Sequence, residues 1–176
     1  QMEDRFDSHV FFVNSYNALM KKISSFNEAE DANHLINQLR SEMSHQCEAF
    51  ATHPSGIYTL SIPTGGGKTL ASLRYALKHA ITHKKERIIY IVPYTTIIEQ
   101  NAQDVRDIIE KDVIEKDSYI LEHHSNVIEN EDKHENEDYD VNKKKLKLAK
   151  DNWESPIIFT TMVQFLNTFY AKGTRN

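Results

Sequence analysis

Cysteine occurs once in the 176 residues, at Cys47, which excludes an internal disulfide and a zinc cluster of cysteines and fits a reducing, cytoplasmic setting. Long apolar runs are also missing. None approaches the roughly 18 to 20 residues that a membrane-spanning helix needs, so no membrane partner is expected. The chain starts at Gln1 without the charged start, apolar stretch and small-residue site of a signal peptide, and reads as a piece of something larger. An excess of basic charge is absent too. Against 26 Asp and Glu stand 21 Lys and Arg, a net charge of −5, so there is no basic coat for nucleic acid. The acidity is concentrated in Glu129 to Asp140, with Lys143, Lys144, Lys145 and Lys147 following, and elsewhere the chain is close to neutral. Charge alone neither demands nor forbids a nucleic-acid partner.

Two periodicities divide what is there. Val10, Phe11, Val13, Tyr16, Leu19, Met20 and Ile23 recur three or four apart and predict a helix over 8–26. A polar linker, Ser24 to Asn33, follows, with Asp31 as the expected cap of a second helix whose stripe is Leu35, Ile36, Leu39, Met43, Cys47 and Phe50. Cys47 on that stripe reads as a buried structural thiol. His53-Pro54-Ser55-Gly56 stops the helix. The period then changes. Ile57 to Ile62 reads as a strand, Leu70 to Ile81 as a helix, Arg87 to Val92 as an apolar strand and Ile97 to Ile109 as a helix. Tyr119 to Leu121 and Pro156 to Phe159 are the next strands and Met162 to Tyr170 the last helix. Ser125 to Lys145 reads as a solvated loop leading into a short helix through Lys150. Apolar strands alternating with helices predict an α/β fold, a parallel sheet with helices on both faces, preceded by helices.

The most informative stretch is Pro63-Thr64-Gly65-Gly66-Gly67-Lys68-Thr69, set between an expected strand and an expected helix. Successive glycines allow positive dihedrals and let several N–H groups wrap an anionic phosphate. The helix that opens there adds free N–H groups and the positive end of its dipole. In this pattern Lys68 reaches the β- and γ-phosphates of ATP and the Thr69 hydroxyl ligates Mg²⁺, with Thr64 to Thr69 as the nucleotide-binding set. Ile62 stands where the strict phosphate-loop pattern has glycine. What remains, Pro-Thr-Gly-x-Gly-Lys-Thr, resembles motif I of superfamily 2 helicases.

Further candidates lie at the carboxyl ends of strands, the edge where open α/β sheets bind ligands. Thr95 and Thr96 follow the second strand and Thr160 and Thr161 the last. Their hydroxyls suit the phosphates of a single strand read without base contacts, and equally suit helix caps. His123-His124 brings no third metal ligand, and Glu129 to Asp140 lacks the spacing and glycine of a calcium loop, so both read as solvated polar surface.

Read together, the motif I block, IIYIVPYTTIIEQNA (Ile88 to Ala102), LEHHSN (Leu121 to Asn126) and NWESPIIFTTMVQFLNTFYA (Asn152 to Ala171) resemble the helicase-nuclease of type I CRISPR systems over about Leu35 to Asn176. That resemblance implies the amino-terminal part of a P-loop, RecA-like first lobe over 32–176, incomplete, with 1–31 a helix and linker or the tail of a preceding HD nuclease domain. It implies ATP-driven 3′ to 5′ movement on single-stranded DNA in antiviral defence, recruitment by an RNA-guided surveillance complex, and strand contacts at Thr95, Thr96, Thr160 and Thr161. Departures accompany it. No His-Asp dipeptide occurs, so the family's nuclease metal site is not in these residues, and no Asp-Glu dipeptide occurs, so its motif II acid is not either. Lys68 and Thr69 supply only part of what phosphoryl transfer requires, and the chain alone is expected not to turn over ATP. For adenine, Gln38, Gln46, Asn37 and Arg40 are near in sequence, none at a diagnostic spacing. The other readings are a phosphate-loop module that binds without catalysis, another superfamily 2 translocase, and a small-molecule kinase, whose basic lid is not visible.

Overall fold

The computed structural model describes residues 7–27, 34–109, 119–123, 153 and 155–170. The chain divides into two compact units, one running to Ile88 and the other from Ile89.

Among the described residues, three helices make the first unit: α1 (Ser8–Asn27), α2 (Leu35–Phe50) and α3 (Lys68–Thr82). Asp7 starts α1, its Oδ1 accepting the His9 N–H at 2.9 Å and the Val10 N–H at 3.3 Å. Phe12, Ser15, Leu19 and Ile23 recur at helical spacing and are buried, whereas Val10 on the other side is exposed. Helix α2 begins later than its expected cap. His34, not Asp31, holds the N-cap position and makes no side-chain cap bond; Asp31 itself lies outside the described residues. Only Ser44 and Cys47 of α2 are buried, and Leu35, Ile36, Leu39 and Phe50 are exposed, so the apolar stripe is covered only around Met43 and Cys47. Helix α3 buries Ala71, Leu73, Leu77 and Ala80 and packs against both other helices.

A polar group ties the three helices together. Arg74 of α3 donates to the Glu48 carboxylate and, at 3.1 Å, to Ser44 Oγ, while Tyr16 of α1 donates its hydroxyl to the same carboxylate. The Lys78 ammonium lies 5.3 Å from the Tyr16 ring centroid. Burial pushes the Glu48 carboxyl up, but the Tyr16 hydrogen bond and the Arg74 and Lys78 charges outweigh it and hold Glu48 below the ordinary carboxylate range. Burial and the Glu48 carboxylate raise the Tyr16 hydroxyl.

Ile57 to Ile62 is not a strand. Its β-branched and aromatic residues suit one, but a ladder needs a partner, and the elements of the first unit around it are helices; Ile57, Tyr58 and Leu60 are exposed. Instead Tyr58 folds back, donating its hydroxyl to the Pro54 carbonyl at 2.6 Å.

The sheet consists of β1 (Ile88–Val92), β2 (Ile120–His123) and β3 (Ile157–Thr161) in the order β1-β3-β2. Strands β2 and β3 run parallel, pairing Ile120 with Ile157 through His123 with Thr160. Ile157, Ile158 and Phe159 are all buried, the continuous apolar run of a strand covered on both faces. Helix α4 (Thr95–Ile109) covers β2 and β3 with Ile98, Ala102, Val105 and Ile109. Arg106 anchors its last turn, donating to the Glu122 carboxylate and, at 3.3 Å, to the Ile120 carbonyl. Helix α5 (Met162–Tyr170) follows β3 directly. Trp153 is buried against Leu121 and Ile158, and its ring meets Phe165 and Phe169 edgewise or tilted. Its φ of 52° is uncommon for so bulky a residue. The expected loop and short helix over 125–150 lie outside the described residues.

Candidate phosphate-binding loop

The loop begins with a turn. The Gly66 N–H donates to the Pro63 carbonyl at 2.9 Å, and Gly65, at the third position, has φ of 78°, the left-handed value that favours glycine there. Gly67 is also left-handed, with φ of 76° and ψ of 32°, and occupies the N-cap of α3. Gly66 is required for space. A Cβ there would lie 2.6 Å from Ile62 Cγ2, 2.9 Å from the Pro63 oxygen and 3.2 Å from Met43 Cε. Each glycine therefore has a physical reason: two for dihedral, one for room.

Helix α3 makes its first bond from the Ala71 N–H to the Gly67 carbonyl at 3.1 Å. The N–H groups of Lys68, Thr69 and Leu70 are thus the unsatisfied first turn, with the dipole's positive end behind them. Lys68 and Thr64 are exposed and Thr69 is half-buried. These features fit a nucleotide phosphate: backbone donors, a cation at the rim and no Cβ in the cradle. Thr69 has one hydroxyl oxygen that could serve Mg²⁺, a cation that takes most of its ligands from phosphate oxygens and water.

Sequence reasoning placed Arg40 nearby without assigning it a task. From α2 its Nε donates to the Gly65 carbonyl at 2.8 Å, and its Nη1 donates to Asn37 Oδ1 at 3.0 Å. The only available signal was Asn37 and Arg40 at i, i+3 on one helix face. Gln46 donates to Glu42 at 2.8 Å and lines a pocket of about 310 Å³ with Met43, Cys47, Phe50, Tyr58 and Tyr75. Cys47 is buried there, and that burial pushes its thiol up. Gln38 is exposed on α2.

The threonines of the sheet unit are used differently. Thr160 is fully buried, its hydroxyl donating to the His123 carbonyl at 3.1 Å. Thr161 Oγ1 accepts the Gln164 N–H at 3.3 Å, which is a helix cap. Thr96 is exposed in the first turn of α4, and Thr95 opens that helix. His123 packs its ring against Trp153 at 5.3 Å, and His124 lies outside the described residues. No group of three or more metal-ligating side chains occurs among the described residues, and none of their helices is long and apolar enough to cross a membrane.

The family model described as DEAD/DEAH box helicase matches residues 43–175, well over half of the chain, from the middle of α2 past the end of α5. No curated protein matches.

Proposed function

The chain belongs to the DEAD/DEAH box helicase family, and on that premise we propose that it is the ATP-binding part of a CRISPR-associated, ATP-dependent DNA helicase. ATP-dependent helicase function and nucleic-acid binding go with the family, and the parallel three-stranded sheet with its helices is consistent with part of a RecA-like domain. The narrower reading is ours. The phosphate loop carries its ATP-binding part: Gly65 and Gly67 at left-handed φ, a Gly66 that admits no Cβ, and the open first turn of α3. In this reading Thr64 to Thr69 hold the phosphates of ATP, Lys68 neutralises the β- and γ-oxygens, and the Thr69 hydroxyl ligates Mg²⁺. The LEHHSN and NWESPIIFTTMVQ blocks support the CRISPR assignment, with single-stranded DNA and an RNA-guided surveillance complex as partners and the cytoplasm as the setting. Thr96, exposed in the first turn of α4, and Thr95 at its start would meet the strand, and Thr160 and Thr161 would act through the backbone at the end of β3.

A second reading is a loop that binds nucleotide without hydrolysing it, since Lys68 and Thr69 by themselves supply only part of what phosphoryl transfer requires. Calorimetric titration with a non-hydrolysable ATP analogue and Mg²⁺, with Lys68→Ala alongside, tests the site. Saturable binding lost in the variant supports it, and equal behaviour of the two chains refutes it. DNA-stimulated turnover by this chain, abolished in Lys68→Ala, would refute the expectation that it is inactive alone.

A further inference from the structure

We propose that Arg40 is a positioning residue of the phosphate loop, fixing the Gly65–Gly66 peptide so that the loop meets phosphate with N–H groups rather than with a carbonyl oxygen. The inference rests on the nucleotide-binding reading above.

A run of three glycines has no side chains to restrain it, and ordering it on a ligand costs more backbone entropy than any other tripeptide. Something outside the loop must supply the order. The peptide between Gly65 and Gly66 is planar, so its C=O and N–H point in opposite directions. Both are held. The N–H is tied to the Pro63 carbonyl at 2.9 Å and the C=O accepts from Arg40 Nε at 2.8 Å. With both ends gripped the plane cannot rotate without breaking a bond.

The grip is on the useful side. A carbonyl oxygen turned toward a phosphate repels it, and the Gly65 oxygen is drawn instead to α2. Arg40 is itself braced, because Nη1 donates to Asn37 Oδ1 at 3.0 Å one turn earlier on the same helix. Its stem also runs close to the loop: a Cβ on Gly67 would sit 3.8 Å from Arg40 Cγ. The guanidinium thus sets the plane from which the left-handed Gly67 and the first turn of α3 continue. An arginine suits this task better than a lysine, since its planar fork serves the carbonyl and the brace together.

The test compares wild type with Arg40→Ala, Arg40→Lys, Asn37→Ala and Lys68→Ala by titration with Mg²⁺-ADP and with a non-hydrolysable Mg²⁺-ATP analogue, beside thermal melting and amide hydrogen exchange of the loop. Arg40→Ala is expected to weaken both nucleotides about tenfold, the worth of one exposed bond from a charged donor, with melting unchanged and faster exchange at Gly66. Arg40→Lys restores part of the affinity, and Asn37→Ala costs about twofold. Wild-type affinity in Arg40→Ala overturns the proposal. So does a loss confined to the triphosphate, which would mean direct contact with the γ-phosphate, or a fall in melting that accounts for the loss. If wild type and Lys68→Ala behave alike, the nucleotide-binding reading has failed on its own, and unchanged Gly66 exchange in Arg40→Ala then overturns the positioning claim independently.

Discussion

Substituting alanine for each of two neighbouring glycines separates space from dihedral as the reason for the loop's composition. In Gly66→Ala the new methyl would stand 2.6 Å from Ile62 Cγ2 and 2.9 Å from the Pro63 oxygen. The first contact yields if Ile62 changes rotamer. The second is backbone, and its oxygen is also the acceptor of the Gly66 N–H, so relief strains the turn. Crowding of this kind costs about 1–3 kcal/mol and a weakened turn bond about 1 kcal/mol. Any Gly→Ala change regains about 0.5–1 kcal/mol from a stiffer unfolded chain. The net loss for Gly66→Ala is then about 1–3.5 kcal/mol. Gly65→Ala meets nothing within 4 Å and bears only the left-handed φ of 78°, about 1–2 kcal/mol before the same offset. Hydrogen exchange of the α3 amides reads the helix that the loop opens, and urea unfolding gives the total. The expected order is wild type, then Gly65→Ala, then Gly66→Ala. A Gly66→Ala protein as stable as Gly65→Ala would refute the steric account and show that the loop relaxes freely.

Other tests address the remaining parts. Glu48→Gln strips the buried Arg74 of its counter-charge and should cost about 3 kcal/mol, whereas Arg74→Met leaves a less buried Glu48 carboxylate that still has the Tyr16 hydrogen bond and the Lys78 charge and should cost less; equal losses in urea unfolding would refute this asymmetry. Because the Glu48 carboxyl lies below its ordinary range when folded, its contribution is present above the unfolded carboxylate pKa and is lost as pH falls through the depressed value. Acid unfolding of Glu48→Gln should therefore be flatter than that of wild type. The raised Tyr16 hydroxyl works with the opposite sign: its contribution is full below the ordinary tyrosine pKa and is lost as pH rises through the raised one, so Tyr16→Phe should flatten the alkaline limb of the same profile. Trp153→Ala empties the space between β2, β3 and α5 and should cost about 3–5 kcal/mol by chemical unfolding.

Periodicity located most elements closely because it records which face is buried. Helix α1 was expected over 8–26 and runs to Asn27; α5 begins and ends at the expected residues; β1 matches within one residue. Strand β3 was expected to end at Phe159 and continues through Thr161, because Thr160 is polar in sequence yet buried and paired with His123. Ile57 to Ile62 shows the limit of composition, which reports suitability for a strand and not the presence of a neighbour. The exposed first turns of α2 show the same limit for helices. At the phosphate loop, the glycines and the Lys-Thr pair were legible because backbone chemistry dictates them. The bond from Arg40 to Gly65, and the linkage of Tyr16, Glu48 and Arg74, were not, since each joins residues from different elements, and the i, i+3 spacing of Asn37 and Arg40 does not reach the loop.

That linkage bears on how the chain can be divided. Phe11, Phe12, Leu19 and Ile23 are buried, and α1 packs on α3 while Tyr16 bonds Glu48 of α2. Among the described residues, these contacts join α1 to α2 and α3 through side chains and not through the chain between Asn27 and His34. Expressed as two polypeptides split between those residues, the first unit should reassemble by complementation, with a dissociation constant set by the α1 contacts and by the loss of the tether's effective concentration. The α1 peptide alone would be largely unstructured, so its circular dichroism would report the docking, and a Tyr16→Phe peptide would dock more weakly.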